Sequence, residues 1–195
     1  DGNFMASNPK WCQSYKVWCE YYDKWISNAD KEAILNSSVF LDMRCLYGDE
    51  FLVTKLRQHL IRLITNNSRF LAILMKISSS VTPPIGTFRQ FVLTKDGQNN
   101  KSLNIKKQAI NLIVELARLY GLQAGCLSSD TYVRLEAAVS KNALKEDEFK
   151  ELCEAYTFLN KVRFDHQLDA LKKGEHLTNN LEPSTLSQFE RNHLR

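Results

Sequence analysis

The chain has 195 residues, 44% of them hydrophobic and 25% charged, which excludes a disordered or collagen-like chain. Its 26 lysines and arginines exceed its 22 acidic residues by four, and this small excess does not favour nucleic acid as a partner. Seven glycines and four prolines provide too few turns for a many-stranded β-sandwich. The length is that of one domain, or at most one and a half.

The first residues show no basic segment followed by an apolar core, and no apolar run approaches the ~18 residues that a membrane-spanning helix needs, so we expect neither export nor a membrane-spanning helix. The five cysteines include no CxxC pair, so we expect free buried thiols, as is typical of a reducing compartment. We therefore predict a cytoplasmic protein with no membrane partner. Because the chain begins without a methionine and closes inside a predicted helix, we also expect it to be a piece of a longer protein.

An aromatic helix face dominates the N-terminal region. Asn8 and Pro9 are typical of a helix start, with asparagine as the cap and proline in the first turn. Aromatic residues then recur at alternating intervals of four and three, at Trp11, Tyr15, Trp18, Tyr22 and Trp25. This pattern favours core packing over a ligand-stacking platform.

Several helices follow, each with a start signal or an apolar stripe. Asp30 is the predicted cap of a helix over 31–36, whereas 37–49 could be either an extended passage or a helix end. Asp49 is predicted to open a long helix that stops near Asn66. Ser68 begins the next one, with Phe70, Leu71, Leu74 and Ile77 expected to be buried.

The second half of the chain is also predicted to be helical, apart from one hairpin. Two prolines make 81–86 a rigid loop, and 87–94 with 101–105 resemble a small β-hairpin. The expected helices are 105–122 (ended by Gly121 and Gly125), one from Ser129 or Asp130 to about Ser140, 146–173 (ended by Gly174), and a last one from Pro183. The predicted fold class is all-α, a helical bundle with one small β-hairpin.

No familiar catalytic motif is present. The sequence contains no glycine-rich phosphate loop, no HExxH and no GxSxG. Its four histidines are too far apart in the chain to suggest a ligand set. We therefore predict no catalytic residue and no metal ligand.

Polar residues on faces that should be buried are the most informative signal. The apolar stripe of the 146–173 helix, continued along the helix, reaches Arg163 and His166, with Gln167 beside them. Lys106 heads an apolar row on the 105–122 helix, which also carries Arg118 on a polar stripe. Arg134, one turn after Thr131, is a further candidate.

Two interpretations of these residues remain open. Burying an arginine without a partner is costly, so each could form a structural ion pair, for example Arg163 with Asp42 or Glu115, or extend its stem to water. Alternatively, cations and amides that converge on one cleft would suit an anionic ligand such as a nucleotide phosphate. We predict that the candidate residues bind substrate in such a cleft.

A set of short segments, in order along nearly the whole chain, resembles the bacterial nucleotidyltransferases that are often found with CBS and cyclic-nucleotide-binding domains. These proteins are similar to the protein-PII uridylyltransferases. The segments that carry the resemblance are Met5–Trp11, Val39–Arg44 with Gly48-Asp49, Pro83–Gly86, Leu103–Lys106, Ala117–Leu119, Thr131 with Arg134-Leu135, and Arg163 with His166-Gln167.

The resemblance implies a division of labour. Residues 1–48 would be the end of the catalytic domain with a connecting helix, and 49–195 a helical substrate-binding bundle that is truncated at its C-terminus. The Gly-Ser motif and the Asp-x-Asp pair of the catalytic domain are absent from this sequence. The fragment is therefore expected to be inactive and to bind no cofactor, while the parent uses a nucleoside triphosphate and Mg²⁺. Asn104 stands where the family's motif has an aspartate.

On this resemblance, Lys106, Arg118, Arg134, Arg163, His166 and Gln167 line the cleft that faces the catalytic domain. Asp42 and Arg44 are candidate domain-interface residues. The expected partners are the upstream catalytic domain, CBS and cyclic-nucleotide-binding domains, and a nucleotide or protein acceptor. The alternative is a regulatory, non-catalytic protein-interaction bundle in a signal-transduction protein.

Overall fold

A computed structural model describes residue 5 and residues 7–79, 93–95 and 101–194, and the structural statements below concern these residues. The chain divides into two compact units. Unit 1 comprises Asp1–Ile77 with Ala117–Leu144, and unit 2 comprises Ser78–Leu116 with Lys145–Arg195. The helical fold class is confirmed: the helices are α1 Tyr15–Asn28, α2 Lys31–Phe40, α3 Glu50–Thr65, α4 Ser68–Ser79, α5 Asn111–Gln123, α6 Thr131–Ser140, α7 Glu146–Lys173 and α8 Gln188–His193.

Aspartate caps start three of these helices where the sequence predicts them. The carboxylates of Asp30, Asp49 and Asp130 accept hydrogen bonds from backbone N–H groups at 2.8, 2.9 and 3.0 Å. Each cap satisfies a donor that the first helical turn leaves unpaired. Of the two caps left open for α6, the structure selects Asp130, and α2 runs on to Phe40.

The first helix begins later than predicted. Pro9–Trp11 form only one 3₁₀ turn, in which Asn8 accepts from the backbone N–H of Lys10 at 3.0 Å. Ser14 then caps a new helix by accepting from Val17. The second cap separates the two segments, because its extended backbone interrupts the helix.

The aromatic face nevertheless forms the core of unit 1, as predicted. The rings of Trp11, Trp18 and Trp25 are no more than 8% exposed, and Trp11 lies 4.5 Å from Phe40 between ring centroids. Tyr22 is fully buried and donates from its hydroxyl to the carbonyl of Phe40 at 2.9 Å. Burial raises the pKa of Tyr22. These rings are packed against one another, which is the core interpretation of the pattern.

Unit 2 contains a small antiparallel sheet beside helices. The predicted hairpin is confirmed in its described part, since β1 (Thr94–Lys95) pairs with β2 (Lys101–Asn104) in the register Thr94↔Ser102. A third strand, β3 (Asn180–Leu181), pairs with β2 in the register Leu103↔Leu181. The sequence did not indicate β3, because two residues are too short to show a strand pattern. The predicted 81–86 loop and the strand residues 87–92 lie outside the described residues.

The helix after β2 starts with a π-helical segment, Lys106–Ile110, in which the N–H of Asn111 donates to the carbonyl of Lys106. The i→i+5 pattern puts more residues in each turn than an α-helix has. Ile110 and Ile113 are buried, but Lys106 is exposed. The prediction that Lys106 heads the buried row was therefore wrong, since the wider turn moves it off that face.

Three further expectations were wrong. The last helix begins after Ser187 rather than at Pro183, because Ser187 and Glu190 form a capping box there. Ile77, expected to be buried, is 45% exposed. All five cysteines are free, as predicted, but none is fully buried, since Cys12 is exposed and the other four are half-buried. Within the described ranges, no helix is both long and apolar enough to cross a membrane.

Gly121 does not end α5 but lies inside it, where its missing side chain makes room for Arg134. A Cβ at Gly121 would lie 2.7 Å from Cγ of Arg134, which is closer than two non-bonded carbon atoms approach each other. Arg134 is itself only 3% exposed. The glycine is therefore explained by a tertiary contact and not by helix termination.

We expect Gly121→Ala to lower the free energy of unfolding by about 1–3 kcal/mol, the usual cost of overpacking a filled site. Urea unfolding at neutral pH measures this. Gln123→Ala, at an exposed position of the same helix, should change stability by less than about 0.5 kcal/mol. Without the clash, alanine inside a helix would stabilise, so a gain in stability at Gly121 would contradict this account.

Candidate functional site

The structure distributes the six predicted substrate-binding residues over both units. Arg118 and Arg134 belong to unit 1, and Lys106, Arg163, His166 and Gln167 belong to unit 2. Each group is described by itself below. That all six line one cleft stays a prediction.

In unit 1, one carboxylate binds both arginines. Arg118 donates to Oδ2 of Asp42 from Nε at 3.2 Å and from Nη2 at 2.8 Å. Arg134 donates from Nη2 to Oδ1 of Asp42 and from Nε to the carbonyl of Ser128 at 2.7 Å. We call Asp42, Arg118 and Arg134 the Asp42 cluster. The ion-pair interpretation therefore holds for these two arginines.

The charges of the Asp42 cluster act on one another. Burial would raise the pKa of Asp42, but the hydrogen bonds and charges of Arg134 and Arg118 outweigh it, so the pKa lies below its ordinary value. Arg57 on α3 belongs to the same surroundings, because burial and the Arg134 charge lower its pKa while the Asp42 charge raises it. Arg44, the other predicted interface residue, is exposed.

In unit 2, Asn179 organises the polar residues. Its side-chain oxygen accepts from Nε of Arg163 at 2.7 Å and from Nε2 of Gln167 at 3.2 Å. Its backbone carbonyl accepts from the N–H of Ile105 at 3.0 Å, and Lys106 is the next residue in the chain and is exposed. We call Asn179, Arg163, Gln167 and Lys106 the Asn179 site.

In the part of the chain that the structure describes, the guanidinium of Arg163 forms a hydrogen bond through Nε only. Its Nε donates to Asn179, and it lies 5.5 Å from the ring centroid of Phe164. Among the described residues, no hydrogen bond or ion pair is made by its terminal nitrogens. These nitrogens form a planar fork that matches a phosphate or a carboxylate. Arg163 is half-buried and so remains accessible.

A second layer of amides supports this site. The side chain of Asn104 donates to Oδ1 of Asn180 at 2.7 Å and accepts from the N–H of Lys107 at 2.9 Å. Gln108 accepts from the N–H of Asn104 at 2.8 Å. Asn104, which replaces the aspartate of the family motif, thus uses both ends of its amide. An aspartate could accept from Lys107 but could not donate to Asn180.

His166 faces a different environment. It lines a cavity of about 410 Å³ together with Lys173 and several carboxylates. The acidic residues are Asp165, Asp169, Glu175, Glu182 and Glu190. Because acids outnumber cations around it, this cavity is electrostatically unfavourable for a phosphate.

Sequence analysis missed Asn179 and Arg57. Asn179 follows a polar stretch after Gly174 and shows no periodicity, so only the pairing of β3 with β2 reveals its role. Arg57 borders the apolar stripe of α3, four residues after Val53 and three before Leu60, so its spacing could have indicated it. In the described part of the chain, no three or more histidine, cysteine, aspartate or glutamate side chains are arranged to hold a metal ion.

We expect Asp42→Asn to lower the free energy of unfolding by about 1–3 kcal/mol at pH 7, because it leaves the buried guanidinium of Arg134 and the half-buried guanidinium of Arg118 without a charged partner. The pKa of Asp42 is lowered in the folded state. Its contribution to the free energy of unfolding is therefore present above the unfolded pKa of about 4 and is lost as the pH falls through the folded pKa. The stability gap between wild type and variant should therefore narrow below pH ~4.

Urea unfolding at several pH values between 7 and 2 measures the gap. Asp130→Asn is the matched control, because asparagine caps a helix as well as aspartate does. An Asp42→Asn gap that is absent at pH 7, or that stays constant down to pH 2, would contradict the role given to Asp42.

Comparison with known protein families agrees with the resemblance. Residues 68–195 match the family described as "Putative nucleotidyltransferase substrate binding domain". Residues 1–32 match the family described as "Putative nucleotidyltransferase DUF294". Searches of curated proteins and of solved structures found no match. Because the first match spans more than half of the chain, this chain belongs to the nucleotidyltransferase substrate-binding domain family.

Proposed function

We propose that this chain binds a nucleotide, or a phosphate-bearing acceptor, at the Asn179 site and presents it to a catalytic nucleotidyltransferase domain, in the manner of a protein-PII uridylyltransferase. The observation that carries the proposal is the guanidinium of Arg163, which Asn179 holds through Nε while its terminal nitrogens make no bond to a described residue. The family match over 68–195 supports the assignment to substrate binding.

Each residue of the Asn179 site has a distinct part. Arg163 donates paired, charge-assisted hydrogen bonds to phosphate oxygens. Lys106 adds an exposed positive charge at the start of the π-helical segment. Asn179 and Gln167 are positioning residues, because they fix the direction of the guanidinium without carrying charge. Prior orientation of a long side chain reduces the entropy lost on binding.

The Asp42 cluster is less suited to this task. Arg134 is almost fully buried and already donates to two acceptors. Arg118 is bonded twice to the same carboxylate. Both cations are thus engaged within the protein, which supports a structural part for them and a binding part for Arg163.

We expect Arg163→Ala to weaken the binding of a nucleoside triphosphate at least about tenfold, since a charge-assisted hydrogen bond contributes about 1.5–3 kcal/mol. Isothermal titration calorimetry of the 195-residue chain measures this. Asn179→Ala should weaken binding less, because the charge remains and only its orientation is lost.

Lys150→Ala is the matched control, since it removes one exposed positive charge from the same helix. It should leave the dissociation constant unchanged. Equal binding by wild type and Arg163→Ala would remove Arg163 from the proposed role. An equal loss of affinity in Lys150→Ala would mean that the weaker binding of Arg163→Ala reflects only the change in net charge.

The transfer reaction is tested on the full-length gene product with labelled nucleoside triphosphates. The proposal expects incorporation of label into an acceptor, and a strong loss of incorporation in Arg163→Ala with Lys150→Ala unaffected. Absence of transfer, together with a partner protein that binds equally well to wild type and Arg163→Ala, would favour a regulatory interaction bundle instead.

A further inference from the structure

An apolar cavity in unit 2 lies close to the Asn179 site along the chain. It has a volume of about 230 Å³, and its walls include Leu103, Ile113, Phe158 and Leu159. Gln108 and Ala109 of the π-helical segment line one side, and His193 at the end of α8 lines another. A largely apolar cavity with a few polar groups is the usual form of a small-molecule site.

The cavity and the Asn179 site share two elements. Leu159 lines the cavity, and Arg163 follows one helical turn later on α7, about 6 Å along the axis. On the other side, Gln108 lies two residues after Lys106 in the π-helical segment. A ligand with an apolar end and an anionic end could therefore occupy both places.

Two of the residues that line the cavity, Phe158 and His193, carry aromatic rings, and Phe189 packs against both. The ring of His193 lies 4.0 Å from that of Phe189 and 5.5 Å from that of Phe158, measured between centroids. Aromatic walls favour a planar ring as occupant, because offset and edge-on ring contacts add to the gain from burial. A volume near 230 Å³ is small for a drug-sized ligand, which also favours a single ring system.

Two polar groups that line the cavity can form hydrogen bonds with the edge of such a ring. The oxygen of the Gln108 amide accepts from Asn104, while its NH₂ group donates to no described residue. Nδ1 of His193 lies 3.1 Å from the carbonyl of Phe189 and donates to it, which leaves Nε2 of the neutral ring as an acceptor. One donor and one acceptor match the mixed edge of a nucleobase.

We propose that this cavity binds the base of a nucleotide whose phosphates lie at the Asn179 site. This inference rests on the proposed function and names the ligand class more closely. The ribose would bridge the turn of α7 between Leu159 and Arg163. The π-helical segment contributes to both ends of the ligand, with Lys106 toward the phosphates and Gln108 toward the base.

The test fills the cavity without touching the Asn179 site. Ala155 is exposed on α7 and lines the cavity, so Ala155→Leu places a larger side chain in the space of the base. Thr157→Leu adds a leucine at an exposed position of the same helix that does not line the cavity. Calorimetry on the 195-residue chain uses ATP, GTP, CTP and UTP, with inorganic triphosphate as the probe that lacks a base.

We expect wild type to bind at least one nucleoside triphosphate about tenfold or more tightly than inorganic triphosphate. Ala155→Leu should remove that preference and leave the affinity for inorganic triphosphate unchanged, and Thr157→Leu should behave as wild type. His193→Ala, at an exposed position of a short helix, should lower the affinity for the same nucleotide several-fold. It provides a second test if Ala155→Leu fails to fold.

Equal affinity of wild type for inorganic triphosphate and for all four nucleotides would overturn the base site. Unchanged nucleotide binding in both Ala155→Leu and His193→Ala would overturn it as well. If Arg163→Ala still abolishes binding in those cases, the proposed function stands without the base site. If wild type binds no probe, this inference and the proposed nucleotide site fail together.

Discussion

The organisation of unit 2 depends on one residue that bonds in two directions. The backbone carbonyl of Asn179 receives the N–H of Ile105, and its side-chain oxygen receives Arg163 and Gln167. The first bond ties the segment before β3 to the end of β2, and the second ties that segment to α7. Without Asn179, Arg163 and Gln167 would lose the acceptor that orients their side chains.

Arginines in the two units illustrate opposite uses of the same side chain. In unit 1, Arg134 is buried, and its cost of desolvation is offset by Asp42 and by the Ser128 carbonyl. Gly121 leaves the space for its side chain. In unit 2, Arg163 is half-buried and bonded at one end only. A guanidinium whose hydrogen bonds are all made inside the protein stabilises the fold, whereas one that is oriented but incompletely bonded is suited to bind an anion.

The sequence predicts the features that depend on residues close together in the chain, such as helix caps and helix faces. The aspartate caps of α2, α3 and α6 and the aromatic face of α1 follow from short-range rules, and each is found. Arg163 and Gln167 could be singled out because polar residues interrupt an apolar period. Their partner could not, since β3 has two residues and Asn179 is brought to α7 only by pairing with β2. Helical periodicity alone predicts the wrong face for Lys106, because the π-helical turn changes the period locally. The sequence likewise predicts a helix end at Gly121, because the contact of this glycine with Arg134 is tertiary and leaves no local signal.

The central claim is that the Asn179 site, and not the Asp42 cluster, receives the ligand. Arginine side-chain NMR on the ¹⁵N-labelled chain tests it most directly, because the Nε–H resonances of Arg163, Arg118 and Arg134 report separately on the two places. On titration with a nucleoside triphosphate, the account predicts a saturable shift of the Arg163 resonance with those of Arg118 and Arg134 unmoved. A shift of the Arg118 and Arg134 resonances with Arg163 unmoved would contradict it.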